Sequence, residues 1–243
     1  MECRLLLHGY RNAFENMAID EALLINGITT LRFYKWKPSA ISIGYFQSIE
    51  EEVNIEECKE IGIDIVRRIT GGGAVYHDIN GEITYSIVMP NVFSNVMESY
   101  KIISKCLING LKRIGINARH SGINDIVVNG RKISGNAQTR RHGIILQHGT
   151  VLLKTDIKKM FSLLNVSDKK ISDKEIGKIE ERVTSIEKEI GEINENELIK
   201  ALIKGFEETL NFKFFEGSLE ENEIELARKL VDKYESKEWN YKR

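Results

Sequence analysis

Asn129-Gly130 is the feature that most limits how this chain can fold. A two-residue type I′ turn needs φ > 0 at both central positions, and Asn-Gly is the pair best suited to it. The flanking segments Ile126–Val128 and Arg131–Ser134 are strand-like, so an antiparallel hairpin is predicted in the middle of the chain. With that turn, Val128 pairs with Arg131, Val127 with Lys132, Ile126 with Ile133 and Asp125 with Ser134. Paired residues share a face and faces alternate along a strand. Asp125, Val127, Lys132, Ser134 and Asn136 are therefore expected on one side, and Ile126, Arg131 and Ile133 on the other. Asp125 and Lys132 become diagonal neighbours, roughly 7–8 Å apart at Cα. A lysine and an acid on one polar face suit a phosphate with a divalent cation, and an ordinary exposed sheet face is the plainer alternative.

Around this hairpin the front of the chain reads as strands and the back as helices. Asn12 with Glu15 resembles a capping box and opens a first helix. Strands are expected at Thr30–Trp36 and Ala40–Gly44, separated by Pro38, then at Ile63–Arg67, Glu82–Met89 and Gly143–Leu153. Asn54 opens a short helix, and Ser94 caps a long one running to about Ile114. Asp156–Leu164, Asn196–Leu210 and Glu221–Glu235 read as helices, with Phe212–Phe215 as a short strand. Segregated strands and helices indicate α+β rather than a regular βαβ alternation.

Composition excludes several classes. Lys plus Arg (35) nearly cancels Asp plus Glu (36), which argues against a general nucleic-acid binder. The charge is unevenly spread: 20 acids and 15 bases lie from Ser167 onward, leaving +4 on residues 1–166. No apolar run approaches a membrane span, and the N-terminus lacks a signal-peptide pattern. Cys3, Cys58 and Cys106 have neither disulfide nor zinc spacing, so reduced thiols and a cytoplasmic location are expected.

The segment richest in chemistry is Arg67-Arg68-Ile69-Thr70-Gly71-Gly72-Gly73-Ala74-Val75-Tyr76-His77-Asp78. Three adjacent glycines permit φ > 0 and a ligand's close approach, and their N–H groups can form an anion-binding concavity. Arg67 and Arg68 add fixed positive charge. The spacing is neither a P-loop nor a dinucleotide fingerprint, and a flexible turn with two solvated arginines is the bland alternative. Thr139-Arg140-Arg141-His142-Gly143 adds a second basic cluster, either a solvated loop or a cover for an anionic intermediate. Gln147-His148-Gly149-Thr150 places a glycine inside a strand, a mark of a bulge or of a ligand's close approach. A lone histidine such as His148 is more often structural than catalytic.

Together these stretches resemble the lipoate–protein ligase family, within the group that includes biotin ligases and octanoyl transferases. The matching parts are residues 67–78, Ile-Gly-Tyr-Phe-Gln (43–47), Asn-Asp-Ile-Val-Val (124–128), Arg-Lys-Ile-Ser-Gly-Asn-Ala-Gln (131–138) and His-Gly-Thr-Val-Leu-Leu (148–153). Glu181-Arg182-Val183-Thr184 and Glu238-Trp239-Asn240 extend the likeness. The resemblance implies a mixed, mainly antiparallel sheet flanked by helices, in one catalytic domain over residues 1–243 whose helical C-terminal segment begins near 167. It implies a ligase that activates lipoate with ATP and Mg2+ to lipoyl-AMP and passes the acyl group to an acceptor lysine. Arg68, Thr70 and Gly71–Gly73 would wall the acyl-adenylate pocket, with Ala74, Val75, Tyr76 and His77 on the nucleotide and lipoyl portions. Lys132 would touch both the acyl carboxyl and the α-phosphate; Ser134, Gly135, His148 and Gly149 would adjoin it. Asn124 and Asp125 would face the adenylate, Asp125 also the metal. Strands Ile41–Ile43 and Thr84–Ile87 would line an acyl slot.

The implied acceptors are lipoyl domains of 2-oxoacid dehydrogenases or the glycine-cleavage H protein. Because the chain stops soon after Glu238-Trp239-Asn240, a short split type with a separate accessory protein is expected. Two rivals stand beside the ligase: a binding subunit inactive alone, and an ATP-independent octanoyl or lipoyl transferase. The transferase is disfavoured because its relatives use a cysteine just before the position of Asn124-Asp125 or near the strand after the lysine motif, whereas Ser121-Gly122-Ile123 stands at the first and no cysteine follows Cys106. Cys106 sits in an apolar helical pattern and reads as a structural thiol.

Overall fold

A computed structural model describes residues 2–154, 156–165 and 181–243. In chain order its elements are β1 (Glu2–Arg11), α1 (Ala13–Asn26), β2 (Thr30–Trp36), β3 (Ala40–Ile43), α2 (Ile49–Glu52), α3 (Ile55–Glu60), β4 (Asp64–Arg67), β5 (Val75–His77), β6 (Glu82–Pro90) and α4 (Val96–Arg113). There follow β7 (Arg119–Ser121), β8 (Asp125–Val128), β9 (Arg131–Arg141), β10 (Ile144–Leu152), α5 (Ile157–Leu163), α6 (Ile186–Ile190), α7 (Glu195–Leu210), β11 (Lys213–Glu216), α8 (Glu221–Glu235) and α9 (Lys237–Asn240). The start of the expected helical C-terminal segment, 167–180, lies outside the described residues.

Among the described residues, the large sheet runs β11-β1-β2-β6-β10-β9-β8-β7. β1 pairs in parallel with both β2 and β11, and the other neighbours are antiparallel, giving the mixed, mainly antiparallel sheet that the resemblance implied. A small sheet, β4-β3-β5, stands beside it and carries the glycine-rich loop between β4 and β5. Each face of the large sheet is covered by a helix pair. Leu31, Phe33, Tyr85 and Ile87 pack against Ile103 and Leu107 of α4 and Leu202 and Phe206 of α7. Trp36, Val88 and Leu146 face Met17, Ala18 and Leu23 of α1, with Ala227 and Tyr234 of α8 behind. Alternate residues of one strand thus serve two different cores, which is the period-2 rule at work. α4 and α7 touch so closely that a Cβ on Gly205 would stand 2.1 Å from the Cys106 carbonyl oxygen.

Several local expectations are corrected. The long helix α4 is capped by Asn95, whose side chain accepts from the Glu98 N–H, and not by Ser94. β1 was missed altogether. Its Leu5-Leu6-Leu7 run faces both ways and shows no clean alternation. The Thr139–Gly143 segment is not an open loop. β9 continues through Arg141 and turns into β10 at His142-Gly143, both with φ > 0. Arg140 donates to Ser99 on α4 and Arg141 pairs with Glu21 on α1, so neither side chain covers the site.

The hairpin at Asn129-Gly130 forms with the predicted pairs Val128 to Arg131 and Val127 to Lys132. Beyond them the register shifts: Ile126 faces Ser134 and Asp125 faces Gly135. A bulge at Ile133 has added one residue, and everything after it moves by one position. Ile126 and Ile133 both lie in the core. Ser134 is buried and its hydroxyl has no partner among the described residues, so this residue does not join the polar face on which it is expected.

Candidate active site

Arg67 ends β4 and Arg68 follows it, and the two side chains have different partners and different tasks. Arg68 is buried under the glycine loop. Its Nη2 donates to the carbonyl oxygens of Gly71 and Gly73, both at 2.7 Å, its Nη1 to the Ser42 carbonyl at 2.9 Å, and its Nε to Thr70 Oγ1 at 3.1 Å. Burial pulls its pKa down to about 10, which leaves it charged at neutral pH. The loop is thus folded around a cation. Gly72 takes φ +91, and Gly44 lies so near that a Cβ there would be 1.9 Å from the Gly72 carbonyl oxygen. Arg67 faces the other way and is wholly buried, so it supplies no charge to the loop. Its guanidinium binds the carbonyl oxygens of Gly44, Tyr45, Gln47, Trp239 and Asn240.

The loop roofs an open cavity of about 120 Å³ between β3, β6 and the β9–β10 ribbon. Of the residues expected at the site, Arg68, Gly72, Gly73, Ala74, Val75, His77, Asn124, Lys132, Gly135, His148 and Gly149 line it. Tyr76 lines an adjoining recess with Leu152, Met160 and Val183, and Lys132 and Gly135 stand on the wall common to both. Thr70, Gly71, Ser134 and Asp125 line neither. The apolar floor comes from Met17, Tyr34, Trp36 and Ala137. Of the two strands expected to line an acyl slot, only Ser42 and Thr84 face the cavity. Ile41 and Ile43 belong to a separate core with Ile49 and Leu163.

Lys132 is held by its main chain. Its N–H donates to the Arg182 carbonyl at 2.7 Å, and its carbonyl accepts from the Thr184 N–H at 2.8 Å. The Glu181–Thr184 segment therefore belongs to the site by pinning the lysine. Lys132 Nζ pairs with Asp125 Oδ1 at 2.7 Å and occupies the space over Gly135, where a Cβ would meet it at 2.8 Å. Asp125 is thereby engaged, and among the described residues no cluster of His, Cys, Asp or Glu could hold a metal ion. Asn136, on the opposite wall, donates to the Asn124 carbonyl and accepts from Tyr85.

Two buried histidines complete the cavity, and both have carboxylate partners that the sequence did not disclose. His148 Nδ1 lies 3.1 Å from Asp20 Oδ2 and its Nε2 lies 2.8 Å from Thr70 Oγ1. Burial lowers the His148 pKa despite the Asp20 charge, which keeps the ring neutral at pH 7. Burial alone would raise Asp20, but hydrogen bonding from His148 and the Arg32 charge hold it below the usual carboxylate range. His77 Nδ1 lies 2.6 Å from Glu82 Oε1 and its Nε2 lies 2.8 Å from Ser42 Oγ, with the Trp36 ring stacked on the imidazole at 3.9 Å. Cys3 and Cys106 lie in the sheet–helix core and Cys58 under the small sheet. Burial raises these thiols to about 12, 12 and 11 respectively.

Residues 12–207 match the model described as the lipoyl protein ligase A/B catalytic domain. The chain belongs to that family. Within it, the chain is 37% identical to the octanoyltransferase LipM of Clostridioides difficile, covering 94% of each. A solved structure described as a bi-partite lipoate protein ligase with its E2 lipoyl domain, from Thermoplasma acidophilum, superposes with a TM-score of 0.93 at 36% identity, covering 99% of this chain and 96% of that one. A lipoate–protein ligase A bound with ATP superposes with a TM-score of 0.89 at 33% identity, covering 99% of both. The family thus includes proteins described as ligases and as transferases. The curated relatives overturn the adenylate-forming reading of the sequence: proteins at 35–37% identity, covering 94–99% of the chain, are octanoyltransferases. Among the described residues no helix is long and apolar enough to cross a membrane.

Proposed function

We propose that the chain transfers an octanoyl group, without ATP, from a thioester donor to the ε-amine of a lysine on a lipoyl domain. Transfer without a nucleotide requires an acyl group that is already activated, and a thioester is the donor class that meets this need. The observation that carries the reading is the position of Lys132, on the wall shared by both recesses and above a floor of Met17, Tyr34, Trp36 and Ala137. Attack of an amine on a thioester builds negative charge on the carbonyl oxygen. A fixed ammonium beside an apolar chain slot opposes that cost. The acceptor class is supported by the lipoyl domain that accompanies the Thermoplasma ligase. Neither Mg2+ nor an accessory subunit has a task in this reaction, because no phosphoryl centre has to be neutralised or assembled.

The test mixes the purified chain, an octanoyl thioester and an isolated lipoyl domain in the absence of nucleotide. The expected result is one octanoyl group added to the acceptor lysine, seen by intact-mass spectrometry, with less than a twofold change on adding ATP. Modification that occurs only with free acid plus ATP, with release of pyrophosphate, would refute the proposal.

A further inference from the structure

We infer that Ser42 is the nucleophile of a covalent acyl-enzyme step, with His77 as its base and Glu82 orienting the imidazole; the inference rests on the transfer reading above. A transferase that takes an acyl group from a thioester donor and delivers it to a protein acceptor gains by holding the group itself between the two encounters. Among the described residues no thiol lines the cavity, so a cysteine cannot do this. A hydroxyl can, if a base and an orienting group stand in line with it.

That line is present. Ser42 Oγ is 2.8 Å from His77 Nε2, and His77 Nδ1 is 2.6 Å from Glu82 Oε1. The carboxylate can only accept from Nδ1, which fixes the proton on that nitrogen and leaves the Nε2 lone pair for the serine hydroxyl. Thr84 Oγ1 also donates to Glu82, and the Trp36 ring stacks on the imidazole, so neither partner is free to turn. Arg68 Nη1 donates to Ser42 Oγ at 3.2 Å and would steady a developing alkoxide. A second trio, Thr70, His148 and Asp20, has the same order of groups. The two differ in access: Ser42 and His77 are on the cavity wall, and Thr70 is not.

The chemistry balances within the chain. Ser42 Oγ attacks the thioester carbonyl and its proton passes to His77 Nε2. The C–S bond breaks, and the thiol leaves with that proton. The acceptor amine then attacks the Ser42 ester and gives its proton to His77. The C–O bond breaks, an amide forms, and Ser42 regains the proton.

The experiment incubates the chain with an octanoyl thioester before any acceptor is added, then maps the modified residue by mass spectrometry. The expected adduct is on Ser42 and is discharged when lipoyl domain is added. Ser42→Ala should give no adduct and transfer roughly 10³-fold more slowly. Ser42→Cys supplies a readout that a structural role would not move: its adduct is a thioester released by neutral hydroxylamine, whereas the serine ester resists. If the parent chain transfers octanoate without any adduct, and Ser42→Ala transfers at the parent rate, the inference is overturned and the transfer reading stands. If the folded parent chain transfers nothing from a thioester, both fall.

Discussion

Replacing Lys132 by alanine is expected to lower octanoyl transfer by about 10²–10³-fold, the effect of removing one group that stabilises a developing oxyanion. The loss should fall on kcat, because the ammonium interacts more strongly with a charged intermediate than with the neutral thioester. Stability should hardly change. The Lys132–Asp125 pair is more than a third exposed on each side, and such pairs contribute little. The hydrogen bonds that fix the 181–184 segment use the Lys132 main chain and survive the substitution. Lys132→Arg keeps the charge but must seat a planar guanidinium in the space over Gly135, and a partial loss is expected. Steady-state kinetics with a thermal melt on the same samples checks both halves. A Lys132→Ala chain with unaltered kcat would remove the lysine from the reaction.

How far the sequence alone could see is shown by the hairpin that carries this lysine. Asn129-Gly130 named the turn and the first two pairs, since turn chemistry is local. It could not announce the bulge at Ile133, because the unshifted register already places Ile126 and Ile133 on one face and satisfies the same core. Ser134 was misplaced for that reason alone. The glycine loop was legible because three adjacent glycines have few structural excuses. Its partners were not: Ser42 and Asp20 are far along the chain from His77 and His148, which they serve, and nothing in a four-residue strand such as Ala40–Ile43 marks its serine as facing a cavity. The only available signal was a lone hydroxyl between two isoleucines. The weight placed on cysteine came from treating one residue type as the sole carrier of transferase chemistry.

The second large effect expected is on stability. Arg67→Met should destabilise the chain by about 4 kcal/mol or more. Hydrogen bonds from a charged donor contribute roughly 1.5–3 kcal/mol each, and buried acceptors left without a donor carry their own penalty. Among the described residues the guanidinium has no carboxylate partner; it is satisfied by the carbonyl oxygens of Gly44, Tyr45 and Gln47 on one side and Trp239 and Asn240 on the other. Two bonds from its main chain would remain, Arg67 N–H to Asn240 Oδ1 and Trp239 Nε1–H to the Arg67 carbonyl, so α9 is loosened rather than released. At about 2–4 °C per kcal/mol for a domain of this size, the melting temperature should fall by about 10 °C. Arg67→Lys should recover less than half, since three donors on one atom cannot span acceptors on two segments. The site would respond indirectly: the Gly44 carbonyl is one of the orphaned acceptors, and Gly44 is the residue against which the glycine loop rests. Limited proteolysis should therefore cut the Arg67→Met chain near α9 at temperatures where the parent resists. A parent-like melt would mean that water replaces the guanidinium at these carbonyls, and would overturn the prediction.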